Sequence, residues 1–118
     1  MSDYRHLELL GRGPVSVVRL LNPKYFPDDE VAGLTREWNS VADRADCRTL
    51  IVDCSNVQIL SSAMLSRLIV LQRRLKQKRG MLILCGLCSE VRRSLRCTKL
   101  DCFFEIREDE RQEAVALA

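Results

Sequence analysis

The chain has 118 residues, of which 47% are apolar, and its 19 basic and 16 acidic residues give a net charge of +3. This size and apolar content suit one packed core, so we expect residues 1–118 to form a single domain. The small net charge does not indicate a nucleic-acid partner, because such proteins usually concentrate basic residues on one face. The sequence contains no run of 18 apolar residues and no secretory pattern at its start, so we expect a cytosolic protein that does not insert into a membrane.

The first half of the chain predicts a hairpin, a helix and a buried strand. The apolar segments "HLELL" and "PVSVVRLL" flank the turn "GRG", which is typical of a β-hairpin. The segment "DDEVAGLTREWNSVADRAD" has apolar residues at helical spacing, and Asp28 or Asp29 can cap the helix that this spacing predicts. Its apolar face comprises Val31, Leu34, Trp38, Val41 and Ala45. The segment "TLIVDCS" is largely apolar, which indicates a buried strand of a parallel sheet.

The second half of the chain predicts three helices and two strands in alternation. The segment "SAMLSRLIVLQRRLKQK" predicts a helix that Gly80 ends. Its core face comprises Leu65, Leu68, Leu71 and Leu75, and its water-facing side includes Gln72, Arg73 and Lys76. The segments "MLILCGL" and "CFFEI" predict strands, and "SEVRRSLRCTKL" between them predicts a short helix with Val91, Leu95 and Leu100 inward. The segment "EDERQEAVALA" predicts a last helix with Ala114, Val115 and Leu117 toward the body.

The resulting order is β-β-α-β-α-β-α-β-α, which is an α/β arrangement. Strands that alternate with helices imply a largely parallel sheet, and the opening hairpin adds an antiparallel pair, so we predict a mixed sheet. The basic run "RRLKQKR" continues an amphipathic helix. We therefore interpret this run as a solvated helix face rather than a nucleic-acid site.

The sequence gives little support to enzymatic chemistry. The only histidine is His6, and there is no nucleophile elbow, glycine-rich phosphate loop or dinucleotide fingerprint. Cys85 and Cys88 form a C-x-x-C pair, but Cys85 belongs to a strand end, whereas redox pairs lie at a helix N-terminus. A zinc site would need two further ligands, and we expect all six cysteines to be reduced. We therefore predict a protein that is not an enzyme and that uses no metal or cofactor.

The stretch "QILSSAMLSRL" places Ser61 and Ser62 between a strand and a helix. A hydroxyl at such a junction accepts a backbone N–H bond, so we expect at least one of these serines to cap the helix. The same position suits a phosphate, because unpaired N–H groups and the positive end of the helix dipole stabilise an anion. A phosphoserine there would add about two negative charges and repel a docked partner.

The segments "TLIVDCSNVQILSSAML" and "RGMLILCGLCSEVRRSLRCTKLDCFFEI" resemble the STAS domain, the family of bacterial anti-sigma factor antagonists. In the family pattern, a strand ends in Asp or Asn, an apolar turn follows, and Asp-Ser-Ser-Gly-Leu opens a helix. A Gly-led strand, a short helix and a Phe-containing strand come next. The resemblance covers roughly residues 49–106. It implies a mixed sheet of four to five strands and about four helices packed mainly on one side.

The resemblance also implies which residues meet a partner. The phosphoacceptor serine of the family falls on Ser62. Ser61, Ala63 and Met64 stand where the family has Asp, a second Ser and Gly, and Met64 is expected to fill or block a pocket of the partner. Asp53 either supports the neighbouring loop or is an ordinary strand-end carboxylate. The implied partner surface comprises Ser55, Asn56, Ser61, Ser62, Ala63 and Met64.

This resemblance implies a protein-interaction switch. The leading expectation is an antagonist that binds a kinase-type anti-sigma factor of the GHKL class and frees a sigma factor, until phosphorylation of Ser62 ends the binding. The alternative is a STAS subunit of a membrane transport system that holds an ABC-type ATPase. A module that senses a nucleotide is a third hypothesis. The identity of the bound partner separates the first two, and a thermal shift with nucleotides tests the third.

Overall fold

The computed structural model of the protein describes residues 4–22 and 28–107. Its elements are β1 (Leu7–Gly11), β2 (Val15–Leu20), α1 (Asp28–Ala42), β3 (Thr49–Asp53), α2 (Ser62–Gln77), β4 (Met81–Cys85), α3 (Ser89–Cys97) and β5 (Glu105–Arg107). This order is the predicted one as far as β5. The last predicted helix lies outside the described residues. The structure describes Asp28 and Asp29 as part of α1 but does not describe their side chains, so it does not test the predicted cap.

The five strands form one mixed sheet in the order β1-β2-β3-β4-β5. β1 and β2 are antiparallel, whereas β2 to β5 run parallel to one another. The register aligns Val17 with Ile51 and Ile51 with Ile83. Neighbouring parallel strands end at the same edge of a sheet, so the segments after β3 and β4 lie side by side. The predicted mixed sheet is confirmed, and this edge carries the candidate site.

One face of the sheet packs against the helices α1, α2 and α3. The largest fully buried side chains of this core are Leu7, Leu20, Leu34, Trp38, Leu50, Met64, Leu68, Leu71 and Leu75. The opposite face carries a smaller buried cluster of Val17, Ile51, Ile83 and Cys85. β3 and β4 are therefore buried on both faces, which explains their continuous apolar sequences. Within the described residues, no helix is long and apolar enough to cross a lipid bilayer.

Two predictions about individual side chains are wrong. α1 ends at Ala42, so Ala45 lies exposed in the following turn rather than on the core face. Gln72 was expected to face water, but it is only 5% exposed. Its Nε2 donates a 2.9 Å hydrogen bond to the carbonyl oxygen of Phe103, and its Oε1 has no partner among the described residues. The amide is buried because it supports the turn before β5.

The last strand is shorter than the sequence predicts. β5 begins at Glu105, and the two phenylalanines of "CFFEI" belong to the turn before it. Phe104 is buried in the core, while Phe103 is 39% exposed. Their rings contact edge to face, with centroids 5.2 Å apart. Packing of Phe104 therefore holds this turn without strand pairing.

A tight turn connects α2 to β4. The N–H of Gly80 donates to the carbonyl of Leu75 at 2.7 Å, and that of Arg79 donates to Lys76 at 3.0 Å. This pair of bonds is a Schellman motif, and its left-handed residue is Arg79, with φ of 61°. Gly80 was expected to end the helix, and its N–H does take part in the helix end, but Arg79 and not Gly80 has the left-handed conformation. Gly80 also makes a close approach to another part of the chain. A Cβ at Gly80 would lie 2.1 Å from the carbonyl oxygen of Arg48.

We expect Gly80→Ala to lower the free energy of unfolding by about 2–4 kcal/mol, because the added methyl group forces the turn away from Arg48. Gly11→Ala is the matched control, since its Cβ would meet Val17 at 3.8 Å, an ordinary contact. The control should change the stability by less than about 1 kcal/mol. Chemical denaturation measures both variants, and equal stabilities would contradict the close approach.

Candidate functional site

Asp53, the last residue of β3, supports the loop that follows the strand. Its Oδ2 accepts a 2.9 Å hydrogen bond from Nε of Arg19 in β2, and its Oδ1 accepts a 2.8 Å bond from the N–H of Ser55. Only 2% of the Asp53 side chain is exposed. Burial raises the pKa of this carboxyl, but the bonds from Arg19 and Ser55 outweigh burial and hold the pKa below its usual value. The prediction that Asp53 supports the loop is confirmed.

Backbone bonds and buried apolar side chains hold the loop between β3 and α2. The N–H of Cys54 donates to the carbonyl of Cys85 at 2.9 Å, which joins the loop to the end of β4. The N–H of Val57 donates to the carbonyl of Cys54 at 2.9 Å. Val57 and Leu60 are buried, so the loop is packed against the core at two points.

The same loop presents polar and apolar side chains to solvent. Ser55 and Asn56 are exposed, and Asn56 Nδ2 donates a 3.2 Å hydrogen bond to the carbonyl of Leu20. This bond fixes the exposed tip of the loop to the end of β2. Ile59 is 53% exposed and adds an apolar side chain that the sequence analysis did not select.

Ser61 and Ser62 have separate roles at the start of α2. Ser61 is the N-cap residue, since its Oγ accepts a 3.2 Å hydrogen bond from the N–H of Met64, and the predicted serine cap is confirmed. Ser62 is exposed, and its hydroxyl makes no hydrogen bond within the described residues. Ala63 beside it is also exposed. Because Ser61 meets the capping need, the hydroxyl of Ser62 remains accessible.

Met64 does not belong to the surface on which the sequence analysis placed it. Its side chain is 1% exposed and packs in the core. Met64 precedes Leu68 by about one helical turn and Leu71 by about two, so it extends the buried face of α2. The expectation that this side chain fills or blocks a pocket of a partner is therefore wrong. The remaining predicted residues form what we call the Ser62 lip: Ser55, Asn56, Ser61, Ser62 and Ala63.

A groove of about 520 Å³ lies beside the Ser62 lip, between the start of α2 and α3. One wall comprises Leu60, Ser62 and Leu65, and the other comprises Glu90, Arg93, Ser94, Cys97 and Thr98. Two leucines are the aliphatic residues of the lining, which also includes one acidic and one basic residue. Ser62 belongs both to this groove and to the lip.

Cys54, Cys85 and His6 lie in buried or partly buried surroundings. Cys54 and Cys85 are buried, and all six cysteines are free. Burial raises the pKa of the Cys54 thiol, which disfavours the nucleophilic thiolate. His6 contacts α1, with its Nε2 3.7 Å from Oε2 of Glu37. No group of three or more His, Cys, Asp and Glu side chains in residues 4–22 and 28–107 is arranged to hold a metal ion.

The sequence model of the STAS domain matches residues 7–113. The chain belongs to the STAS domain family. The opening antiparallel pair and the parallel remainder are thus the sheet of a STAS domain.

Solved structures support this assignment at the level of the fold. An anti-sigma-factor antagonist (STAS) domain protein from Planctomyces limnophilus has a TM-score of 0.80 and 17% identity, with 93% of this chain and 96% of that chain covered. An anti-sigma factor antagonist from Mycobacterium paratuberculosis has a TM-score of 0.76 and 21% identity, covering 93% of this chain and 91% of that one. The phosphorylated form of the Bacillus cell fate determinant SpoIIAA has a TM-score of 0.69 and 15% identity, covering 95% and 97%. No curated protein sequence matches the chain.

Besides Ile59, sequence reasoning missed three residues that build the site of this STAS domain: Arg19, Gly86 and Arg93. Arg19 is the only charged residue of β2, and this signal could have indicated a buried partner. Gly86 has φ of 67°, and a Cβ there would lie 2.9 Å from Oδ1 of Asp53, so the glycine makes room for the carboxylate. Arg93 is one of several arginines of α3, and only the structure distinguishes it as a groove residue.

Ser61→Ala is expected to lower the free energy of unfolding by about 1 kcal/mol, because it removes the acceptor for the Met64 N–H. Ser62→Ala is the matched control and should change the stability by less than about 0.5 kcal/mol. Urea denaturation followed by circular dichroism measures both variants. A larger loss from Ser62→Ala than from Ser61→Ala would show that the two roles are reversed.

The Asp53 carboxylate should make stability depend on pH. Its folded pKa lies below the unfolded value of about 3.9, so its contribution is present above that value and is lost as pH falls through the folded pKa. Asp53→Asn should therefore flatten the fall of the unfolding free energy below about pH 5. At neutral pH the variant should cost about 1–3 kcal/mol, because Arg19 loses its acceptor. Denaturation at a series of pH values measures both effects.

Asp43→Asn is the control for this pH dependence. The hydrogen bond from Arg74 lowers the pKa of Asp43 as well, but 49% of the Asp43 side chain is exposed. Solvent screens such a pair, so its removal should alter the pH profile much less. An unchanged profile for Asp53→Asn would mean that the buried pair does not contribute to stability.

Proposed function

We propose that this STAS domain is a cytoplasmic anti-sigma factor antagonist that acts by binding and not by catalysis. Its partner is a kinase-type anti-sigma factor of the GHKL class, which binds at the Ser62 lip. Phosphorylation of Ser62 ends this binding. The observation that carries the proposal is the exposed hydroxyl of Ser62, which the neighbouring Ser61 frees from helix capping.

The loop between β3 and α2 is held in place by hydrogen bonds and buried side chains, which suits a binding surface. Asp53 and Asn56 tie the loop to β2, and buried Val57 and Leu60 anchor it to the core. A surface held in this way loses little conformational entropy when a partner docks, so more of the contact energy appears as affinity. Ile59, exposed beside the lip, supplies apolar area for the same contact.

The proposed modification is a phosphoryl transfer from ATP to the Ser62 hydroxyl. The bond between Oγ and the γ-phosphorus forms, and the bond from that phosphorus to the bridging oxygen breaks and releases ADP. The hydroxyl proton passes to a base of the kinase. The product carries about two negative charges at the centre of the contact surface, where a partner would have to desolvate them.

The structural neighbours support this proposal by analogy. The proteins from Planctomyces limnophilus and Mycobacterium paratuberculosis are anti-sigma factor antagonists by name. The Bacillus SpoIIAA structure is of a phosphorylated form, so a protein of this fold carries a phosphate. In this chain the acceptor that we propose is Ser62, which lies exposed at a strand-to-helix junction.

Ser62→Asp should weaken binding to the anti-sigma factor of the same genome by about tenfold or more, because it adds a charge at the contact. Ser62→Ala should keep the affinity within about threefold, since it only removes a small exposed hydroxyl. Gln77→Glu is the control, because it adds the same charge at the far end of α2. Isothermal titration calorimetry at fixed salt measures all three variants.

Two results would contradict the proposed function. The first is an affinity for Ser62→Asp equal to that of the parent protein and of the Gln77→Glu control. The second is the recovery of an ABC-type ATPase, and of no GHKL kinase, with the tagged chain from its own cells. That outcome would favour the transport-subunit alternative.

A further inference from the structure

Ser62 and Arg93 belong to different elements but line the same groove. On α3, the groove residues Glu90, Arg93, Ser94 and Cys97 recur at intervals of three and four, so they form one stripe of the helix. The other face of α3 is fixed to the core by buried side chains, which comprise Val91 and Leu95. The backbone that carries Arg93 is therefore held opposite the first turn of α2.

The guanidinium of Arg93 is not engaged elsewhere in the described structure. Other arginines have partners: Arg19 pairs with Asp53, and Arg92 Nε donates to the carbonyl of Leu87 at 3.4 Å. Arg93 is exposed and makes no hydrogen bond or ion pair with residues 4–22 or 28–107. It can therefore turn toward a new anion in the groove without giving up an existing contact.

We propose that Arg93 is the internal receptor for a phosphate on Ser62, and that the resulting ion pair closes the groove between α2 and α3. This inference rests on the proposed phosphorylation of Ser62. The planar fork of a guanidinium matches two phosphate oxygens and forms charge-assisted hydrogen bonds with them. The pair joins the two walls of the groove, so phosphorylation blocks access to the groove in addition to adding charge.

Glu90 opposes this pairing, so its substitution should have the opposite effect to that of Arg93. Glu90 lines the same wall one helical turn before Arg93, so its carboxylate would repel a phosphate on Ser62. Glu90 and Arg93 are the charged residues of the groove lining, and Cys97 is the other ionisable one. Removal of the Glu90 charge should therefore strengthen the phosphate contact, while removal of the Arg93 charge should weaken it.

The experiment places phosphoserine at position 62 of the full chain by genetic incorporation, so no kinase is needed. A ³¹P NMR titration at low salt then gives the pH at which the phosphate is half-protonated. Arg93→Gln should raise this midpoint by about half a pH unit or more, because it removes the neighbouring positive charge. Glu90→Gln should lower the midpoint. Arg93→Lys should fall between the parent and Arg93→Gln, since it keeps the charge without the fork.

Arg96→Gln is the matched control. It removes the same charge from the same helix, but Arg96 borders a different hollow, with Arg92, Asp101 and Ile106. Its midpoint should stay within about a fifth of a pH unit of the parent value. Equal midpoints for Arg93→Gln and Arg96→Gln would overturn the inference, whether or not both differ from the parent value.

The two proposals fail in different ways. If Arg93→Gln has no effect on the titration while Ser62→Asp still weakens binding, the Arg93 inference fails and the proposed function stands. If no kinase modifies Ser62 but Arg93→Gln raises the ³¹P midpoint, the proposed regulation by phosphorylation is wrong. The contact between Arg93 and the phosphate then stands as a property of the groove. Far-ultraviolet circular dichroism of each variant establishes that it is folded, as expected for substitutions of exposed side chains.

Discussion

The hydrogen-bonded pair of Arg19 and the buried Asp53 joins the ends of two neighbouring strands, and the position of the Ser62 lip depends on it. A carboxylate removed from water is costly unless its charge is paired and its oxygens accept hydrogen bonds. The Ser55 N–H satisfies the second oxygen, and the missing side chain of Gly86 leaves space beside it. These contacts define where the chain leaves β3, and the buried Val57 and Leu60 define its path to α2. These buried contacts therefore hold the Ser62 lip in place, although most of its residues are exposed.

Two adjacent serines at the start of α2 have different roles. The helix needs an acceptor for its first N–H groups, and Ser61 supplies it. Ser62 follows as the first residue of the helix, where it is exposed and lines the groove. In this chain a charge can be added to Ser62 while the cap remains in place.

The sequence predicted the architecture well because the relevant signals are local. Continuous apolar strands alternate with amphipathic helices, and this alternation defines a parallel sheet. The failures involve contacts between residues that are distant in sequence. Gln72 is buried because its amide meets Phe103, 31 positions away, and Arg19 reaches Asp53 across 34 positions. Met64 is different: its spacing from the leucines of α2 places it on the buried face, but the resemblance to a family motif assigned it to the partner surface.

The central claim is that the accessible hydroxyl of Ser62 is the site at which a kinase controls this domain. Peptide mass spectrometry after incubation with ATP and the cognate GHKL kinase tests this claim most directly. The account predicts a single phosphoryl group on the peptide that contains Ser62, and none in the Ser62→Ala variant. A phosphate on Ser61 or on another residue, or a partner kinase that binds the chain and leaves it unmodified, would contradict the account.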